Sequence, residues 1–275
     1  MALFGNNSNK SGEMSFLGHL EVLRWHLVRS AAVIFTIAVT LFCFPEFLFD
    51  TIIFAPKHPE FWTYRMLCQL DEALGAGGML CITEIPFELI NTELSAQFTT
   101  HMWISFVGGL ICGLPYLLWE LWRFIKPALR QKELGYAKGI VFFTSMLFLI
   151  GVLFGYYVIV PLSVNFLGTY QVSVEVKNTI QMSSFISTVT TITLAAGIVF
   201  ELPIVVYFLS KIGIMTPTFM RKFRKHAVVV ILIVSAVITP SPDITSQLLV
   251  AFPLYFLYEI SIFVSAYVIR NKPVE

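Results

Sequence analysis

Long apolar segments constrain this chain more than any other feature, because about 20 consecutive apolar residues match the ~30 Å hydrocarbon core of a bilayer. Five segments reach that length, and a shorter one lies between the last two. The predicted spans cover residues 27–47, 98–119, 139–160, 185–209, 227–238 and 248–269. With 57% hydrophobic and 13% charged residues, the chain is too apolar for a soluble domain. We therefore expect an all-α polytopic membrane protein with six transmembrane helices, built as a single domain over residues 1–275.

Positive charges predict the orientation of these spans. With six spans, the two tails and the even-numbered loops share one side of the membrane. That side carries all but three of the 18 lysines and arginines, the exceptions being Lys57, Arg65 and Lys177. Lysine and arginine accumulate in cytoplasmic loops, so both termini are expected in the cytoplasm. Five spans would place Arg270 and Lys272 outside, which favours six. The net charge of +1 excludes a basic nucleic-acid-binding surface.

The two longest external loops, residues 45–97 and 161–184, contain apolar stretches that water would not tolerate unaided. We expect them to fold into an external cap of short helices. Cys68 and Cys81 share the first loop, where an oxidising compartment allows a disulfide. Two free thiols remain the alternative. The first apolar segment lacks a small-residue cleavage site, so it is expected to remain as an anchor.

The second cytoplasmic loop, residues 119–138, joins two spans. It contains basic residues at five positions and only two acids, Glu120 and Glu133. Trp119, Trp122 and Phe124 suit the headgroup layer. An acid in such a loop either balances a neighbouring cation or serves a function. On the same side of the membrane, an amphipathic amino-terminal helix carries Glu21. Two cytoplasmic carboxylates near a shared groove could hold two adjacent cations.

Polar residues within the spans are further candidates. Glu201 and Glu259 are the only charged residues of the fourth and sixth spans, and a charge at that depth costs about 2.5–3.5 kcal/mol on insertion scales. Each is either a functional group or a bond between helices. Gln247 begins the sixth span and suits reversible association with a partner helix. The GxxxG pairs Gly109–Gly113 and Gly151–Gly155 are predicted to serve internal packing.

Five segments follow one another in an order that resembles the TatC family, the receptor subunits of the twin-arginine protein translocase: HLEVLRWHL, GLPYLLWELWRFIKPALRQKE, FGYYVIVPLSVNFL, GIVFELPIVVYFLSKIGIMTP and TPSPDITSQLLVAFPLYFLYEISIF. The resemblance runs from residue 14 to residue 268. It implies six spans with both ends cytoplasmic, in the inner membrane of a bacterium. It also implies binding of twin-arginine signal peptides and export of folded proteins driven by the proton-motive force. The implied partners are the single-span proteins TatA and TatB, in an oligomeric complex within the bilayer.

The resemblance also implies roles for individual residues. The signal-peptide contact falls on Glu133, with Phe124 and Leu129 at family positions tied to recognition. The amino-terminal motif of the family is HLxELR, but this chain has Val22 where the glutamate is usual, and Glu21 stands one position earlier. Glu201 matches the family's intramembrane glutamate. Partner-helix docking is implied for Gln247, together with Asp243 and Thr239.

A proton-coupled secondary transporter of a small solute is the alternative function, because it too would carry acids such as Glu201 and Glu259. Against it stands the lack of a visible internal repeat and of paired broken helices. An intramembrane hydrolase is weaker still, because the sequence shows no serine or zinc motif. We expect no enzyme activity, metal site or organic cofactor.

Overall fold

The computed structural model describes residues 16–75, 78, 81–82, 87–125, 137–171, 173, 178–239 and 244–270. Its helices are α1 Phe16–Phe42, α2 Trp62–Leu74, α3 Ala96–Ile125, α4 Ala137–Phe154, α5 Val160–Thr169, α6 Met182–Phe200, α7 Leu202–Lys211, α8 Pro217–Lys222, α9 Arg224–Ile238 and α10 Ile244–Arg270. Two π-helical turns, Phe47–Ile53 and Gly155–Ile159, and a 3₁₀ turn, Ala55–Lys57, lie between them. The strands β1 Glu88–Ile90 and β2 Thr179–Gln181 pair in parallel.

Within the described residues, five helical stretches are long and apolar enough to cross a membrane. They are Leu20–Phe42, Ala96–Phe124, Val141–Thr169, Met182–Lys211 and Gln247–Arg270. Each overlaps one of the predicted long spans. Helix α9, the counterpart of the short predicted span, has 15 residues, which is about 22 Å by helical rise. It begins three residues earlier than predicted, at Arg224.

Several predicted boundaries were wrong. The first span ends at Phe42 rather than at residue 47, and α3 continues to Ile125, so the beginning of the predicted 119–138 loop is helical. The third span continues through Pro161 to Thr169. Proline has no backbone N–H to donate, and the π turn Gly155–Ile159 just before it changes the hydrogen-bond spacing at that point, so the helix can continue. The predicted loop 161–184 is therefore shorter at both ends.

The main hydrophobic core surrounds α6. The buried α6 side chains Ile186, Val189 and Ile192 belong to one cluster with residues of the π turn Gly155–Ile159, of α5 and of α10. Small residues let neighbouring helices approach closely. A Cβ added to Gly109 would lie 2.8 Å from the Ile34 carbonyl oxygen in α1, and one added to Gly151 would lie 2.8 Å from the Ala196 carbonyl oxygen in α6. The prediction that the two GxxxG pairs serve internal packing is confirmed.

Short elements connect α1 to α3. The buried Tyr64 in α2 donates its hydroxyl hydrogen bond toward two carbonyl oxygens, those of Pro56 and Pro161, each 2.9 Å away. Burial raises the pKa of Tyr64, which keeps the phenol protonated as a donor. A disulfide joins Cys68 to Cys81. The bond from Tyr64 to Pro161 ties the long connection to the start of α5, and the disulfide joins two parts of the connection itself.

Candidate functional site

The predicted signal-peptide residues fall partly outside the described structure. Glu133 and Leu129 lie in the undescribed segment 126–136, and Asp243 lies in the undescribed segment 240–243. Glu21 is exposed on the first turns of α1. Phe124 lies at the end of α3, where its ring meets the His26 ring edge-on at 6.2 Å between centroids. Glu21 and Phe124 are thus carried by two helices that meet.

The contact between these helices contains a buried ionic cluster that sequence reasoning missed. Glu120 is only 2% exposed, and its Oε2 contacts Nδ1 of His26. Tyr116 donates its hydroxyl hydrogen bond to the other oxygen, Oε1, at 2.9 Å, and Arg123 lies 4.0 Å from the same atom. From its position in the sequence, Glu120 is expected only to be an acid of the cytoplasmic loop.

A spacing of three or four residues, which places side chains on one face of a helix, explains the cluster and was the signal available in the sequence. His26, Ser30, Ile34 and Ala38 recur at intervals of four and share one face of α1. The last three are buried. The opposing face of α3 carries Gly109, Gly113, Tyr116 and Glu120, and an added Cβ on Gly113 would lie 2.6 Å from Ile34 Cγ1. The tight glycine contact continues into the ionic cluster, so His26 and Glu120 fix the last shared turn of the two helices.

A groove of about 340 Å³ opens beside the cluster. It is lined by Val22, Trp25, His26, Arg29 and Arg123. The carboxylate of Glu120 is occupied by its partners, so the exposed charges that the described residues bring to the groove are the guanidinium groups of Arg29 and Arg123. These two charges would repel an arginine pair of a peptide. Glu21 immediately precedes the groove in α1, about 100° around the helix from Val22.

A second contact links the end of α3 to the middle of the molecule. Trp122 is 6% exposed, and its ring lies 5.4 Å from that of Phe208 in α7. Helix α7 follows directly on Glu201. The turn that leads into the predicted recognition loop is therefore packed against the helix that begins at the intramembrane glutamate.

Glu201 occupies the junction between α6 and α7. Its backbone carbonyl accepts from the amides of Ile204 and Val205, at 3.0 and 3.1 Å, and Pro203 stands within the first turn of α7. Both carboxyl oxygens are buried, and no described residue forms a hydrogen bond with either. A buried polar group without a partner is rare and marks a site that merits a functional explanation.

The other predicted polar residues are engaged within the chain. Glu259 accepts from Arg224 Nη2 at 2.8 Å and from the Tyr255 hydroxyl at 3.0 Å, which identifies it as a bond between α9 and α10. Gln247 donates through Nε2 to the Leu232 carbonyl oxygen at 3.0 Å. The Thr239 hydroxyl donates to the Ser235 carbonyl at 2.9 Å. Among the described residues, no three His, Cys, Asp or Glu side chains are arranged as metal ligands.

Comparisons with known proteins agree with this architecture. The model of the TatC family, described as "Sec-independent protein translocase protein (TatC)", matches residues 18–253. A protein of that name from Blattabacterium sp. subsp. Periplaneta americana (strain BPLAN) is 37% identical over 265 residues, covering 96% of this chain and 99% of the relative. The namesake from Aquifex aeolicus (strain VF5) is 31% identical, covering 94% and 98%.

Two solved structures share the fold. A crystal structure of the twin arginine translocase receptor TatC is 30% identical, with a TM-score of 0.64, and covers 92% of this chain and 100% of its own. A second, determined in DDM, is 31% identical with a TM-score of 0.67, covering 90% and 99%. The family model spans most of the chain, and a curated relative matches along nearly its full length. This multi-pass membrane protein therefore belongs to the TatC family of Sec-independent protein translocase proteins.

Proposed function

We propose that this protein is the receptor and core component of a twin-arginine translocase. It binds twin-arginine signal peptides at the cytoplasmic face and, with TatA- and TatB-type partners, exports folded proteins using the proton-motive force. The observation that carries the proposal is similarity along almost the whole chain to solved structures named as twin arginine translocase receptors. The relatives are named as translocase proteins, which supports a receptor and not a solute transporter.

Glu133 and Glu21 are the proposed ligands of the arginine pair. A guanidinium presents a flat fork of donors that a carboxylate grips with two hydrogen bonds, each worth about 1.5–3 kcal/mol. Lysine lacks that fork and fits less well. Arg29 and Arg123 in the neighbouring groove disfavour the arginine pair there, which supports binding toward the amino-terminal end of α1. Phe124 and Leu129 would flank the pair.

The orientation belongs to the same proposal. We place both termini in the cytoplasm, count α9 as a sixth span, and assign the elements between α1 and α3 to an external cap. The charge distribution along the chain supports this arrangement. The disulfide between Cys68 and Cys81 supports an oxidising compartment for that connection.

Glu201 would serve a polar pocket that admits the apolar part of the signal hairpin. Its carboxyl oxygens, which have no partner among the described residues, support this role, and the short α9 would thin the bilayer nearby. A thiol-reactive probe tests the pocket: cysteines placed around Glu201 should react faster than lipid-buried control cysteines. Equal reaction rates would contradict a pocket.

Gln247, Asp243 and Thr239 would receive a partner helix. No described residue donates to the Gln247 amide oxygen, which leaves that atom to accept from the partner.

Crosslinking tests the receptor function. A photoreactive twin-arginine peptide should crosslink to residues 119–138, and changing its arginine pair to a lysine pair should remove the crosslinked product.

The variant Glu133→Lys should abolish export of a twin-arginine substrate while the protein remains in the membrane, because it replaces the acceptor with a repelling cation. Glu93→Lys, at an exposed glutamate before α3, is the matched control. Normal export by a stably inserted Glu133→Lys protein would contradict the assignment.

A further inference from the structure

A dense group of cations lies where α8 turns into α9. Within residues 217–226, which we call the α8–α9 corner, the basic residues are Arg221, Lys222, Arg224 and Lys225, and all four are exposed. Arg224 is bound to Glu259. Arg221, Lys222 and Lys225 form no ion pair with any residue that the structure describes. Three cations of the corner are therefore available to an anionic ligand.

The same corner presents aromatic rings. Phe219 and Phe223 are 49% and 37% exposed, and their ring centroids lie 4.5 Å apart. The His226 ring follows at 5.4 Å from Phe223. Exposed aromatic rings beside cations suit the boundary between headgroups and acyl chains, where both kinds of group are stabilised.

Two contacts fix the depth of the corner along α10. The Tyr258 hydroxyl donates to the Met220 carbonyl oxygen at 2.8 Å, and Arg224 binds Glu259 at 2.8 Å. These positions precede Arg270, the end of α10, by eleven or twelve residues, about 16–18 Å of helix. The intervening turns of α10 carry Phe263 and Tyr267, which are 69% and 68% exposed.

These observations conflict in a flat membrane. Exposed apolar residues of the last turns of α10 require acyl chains around them, whereas the cations of the corner, held about three turns deeper, require water or anions. Lipid headgroups that bend inward at the corner resolve the conflict, because their phosphates meet the cations while the acyl chains still cover α10. Basic clusters beside membrane helices attract anionic lipids in this way.

We propose that the α8–α9 corner is a binding site for the phosphate groups of anionic phospholipids of the leaflet that faces it. Arg221, Lys222 and Lys225 supply the charge, and Phe219 and Phe223 rest among the upper acyl carbons. Arg224 is committed to Glu259 and holds the corner at its depth. The site is separate from the twin-arginine site and requires no partner protein.

Thermal melting of the purified, detergent-solubilised protein measures the binding. Added phosphatidylglycerol should raise the melting temperature more than phosphatidylcholine with the same acyl chains, and inorganic phosphate alone should not raise it. In the triple variant R221Q/K222Q/K225Q, the apparent preference for the anionic lipid should fall by about tenfold to a hundredfold. The variant R221K/K222R/K225R, which keeps the charge, should retain the preference. An equal response to inorganic phosphate would show a free anion site instead of a lipid site.

The variant K10Q/R270Q/K272Q is the matched control, because it removes three cations from the two tails. If both triple variants lost the preference for the anionic lipid equally, the preference would depend only on the net charge of the protein, and the proposal would be overturned. A phospholipid with a photoreactive headgroup, used on the unmodified protein in vesicles, gives a second measurement that does not depend on variant folding. It should label peptides from residues 217–226. Labelling confined to other segments would contradict a lipid site.

Discussion

Glu120 and Glu201 are both buried carboxylates near the ends of neighbouring helices, yet their surroundings differ. Glu120 contacts His26, Tyr116 and Arg123, whereas neither carboxyl oxygen of Glu201 has a partner among the described residues. Burial of an unpaired polar group costs stability, and a paired group recovers that cost. Glu120 is therefore expected to stabilise the fold, and Glu201 is expected to lower the free energy of unfolding.

His26→Leu should lower the melting temperature of the solubilised protein. It leaves the Glu120 carboxylate buried without its close partner, at a cost of about 1–3 kcal/mol. The double variant His26→Leu/Glu120→Leu should lose less than His26→Leu alone, because no buried charge is left behind. His58→Leu, at an exposed histidine, is the control. A double variant less stable than His26→Leu would show that the pair does not act as a unit.

Glu201→Leu should have opposite effects on stability and on export. Removal of a buried carboxyl that has no described partner should raise the stability by about 1–3 kcal/mol, measured by thermal melting. Export of a twin-arginine substrate should fall, since the proposed pocket would lose its polar group. Glu201→Gln, which keeps a polar side chain of the same size, should retain more export. A melting temperature lower than that of the unmodified protein would instead assign Glu201 a structural bond.

At the level of elements, glycine contacts set the distance between helices. An added Cβ on Gly151 of α4 would lie 2.7 Å from Phe200 Cβ and 2.8 Å from the Ala196 carbonyl oxygen, both in α6. A backbone oxygen cannot move aside as a flexible side chain can. Gly139, near the other end of α4, would gain a Cβ that has no atom of a described residue within 4 Å. The two glycines form a matched pair in one helix.

Gly151→Ala should destabilise the protein by about 1–3 kcal/mol because α4 must move away from α6. Gly139→Ala should leave the stability unchanged or raise it by up to about 1 kcal/mol, because alanine is the better helix former. Thermal melting in one detergent compares the two. Equal and small effects would mean that the α4–α6 contact tolerates the extra methyl group.

On the scale of the whole molecule, the long connection between α1 and α3 is joined internally by the Cys68–Cys81 disulfide and bound by Tyr64 to α5. Cys43 and Cys112 are free. Disulfides persist in oxidising compartments. The redox state of the four cysteines therefore reports which compartment this connection faces.

Unfolded, unreduced protein prepared from cells should accept alkylation at Cys43 and Cys112 only, and reduction should expose Cys68 and Cys81 as well. Intact-mass spectrometry distinguishes the two states. Trapping of free thiols during lysis controls for oxidation after the cells are broken. Alkylation at all four positions before reduction would contradict both the disulfide and the external position of the connection.

The number of long apolar helices and their approximate positions could be predicted from the amino-acid sequence, because the length of an apolar segment is a local property of the chain. The five ordered sequence segments were enough to indicate the family. The sequence also singled out Glu201 and Glu259 as unusual, since a charge within an apolar segment stands out without any structure.

The partners of buried acids, in contrast, depend on how the helices pack. Glu120 and His26 are 94 residues apart in the chain, and each is ordinary within its own segment. The partnership of Glu259 with Arg224 likewise depends on how α9 packs against α10. Helix packing brings distant polar groups into one low-dielectric site, where an available partner turns a costly charge into a bond, and that depends on three-dimensional proximity rather than on local composition.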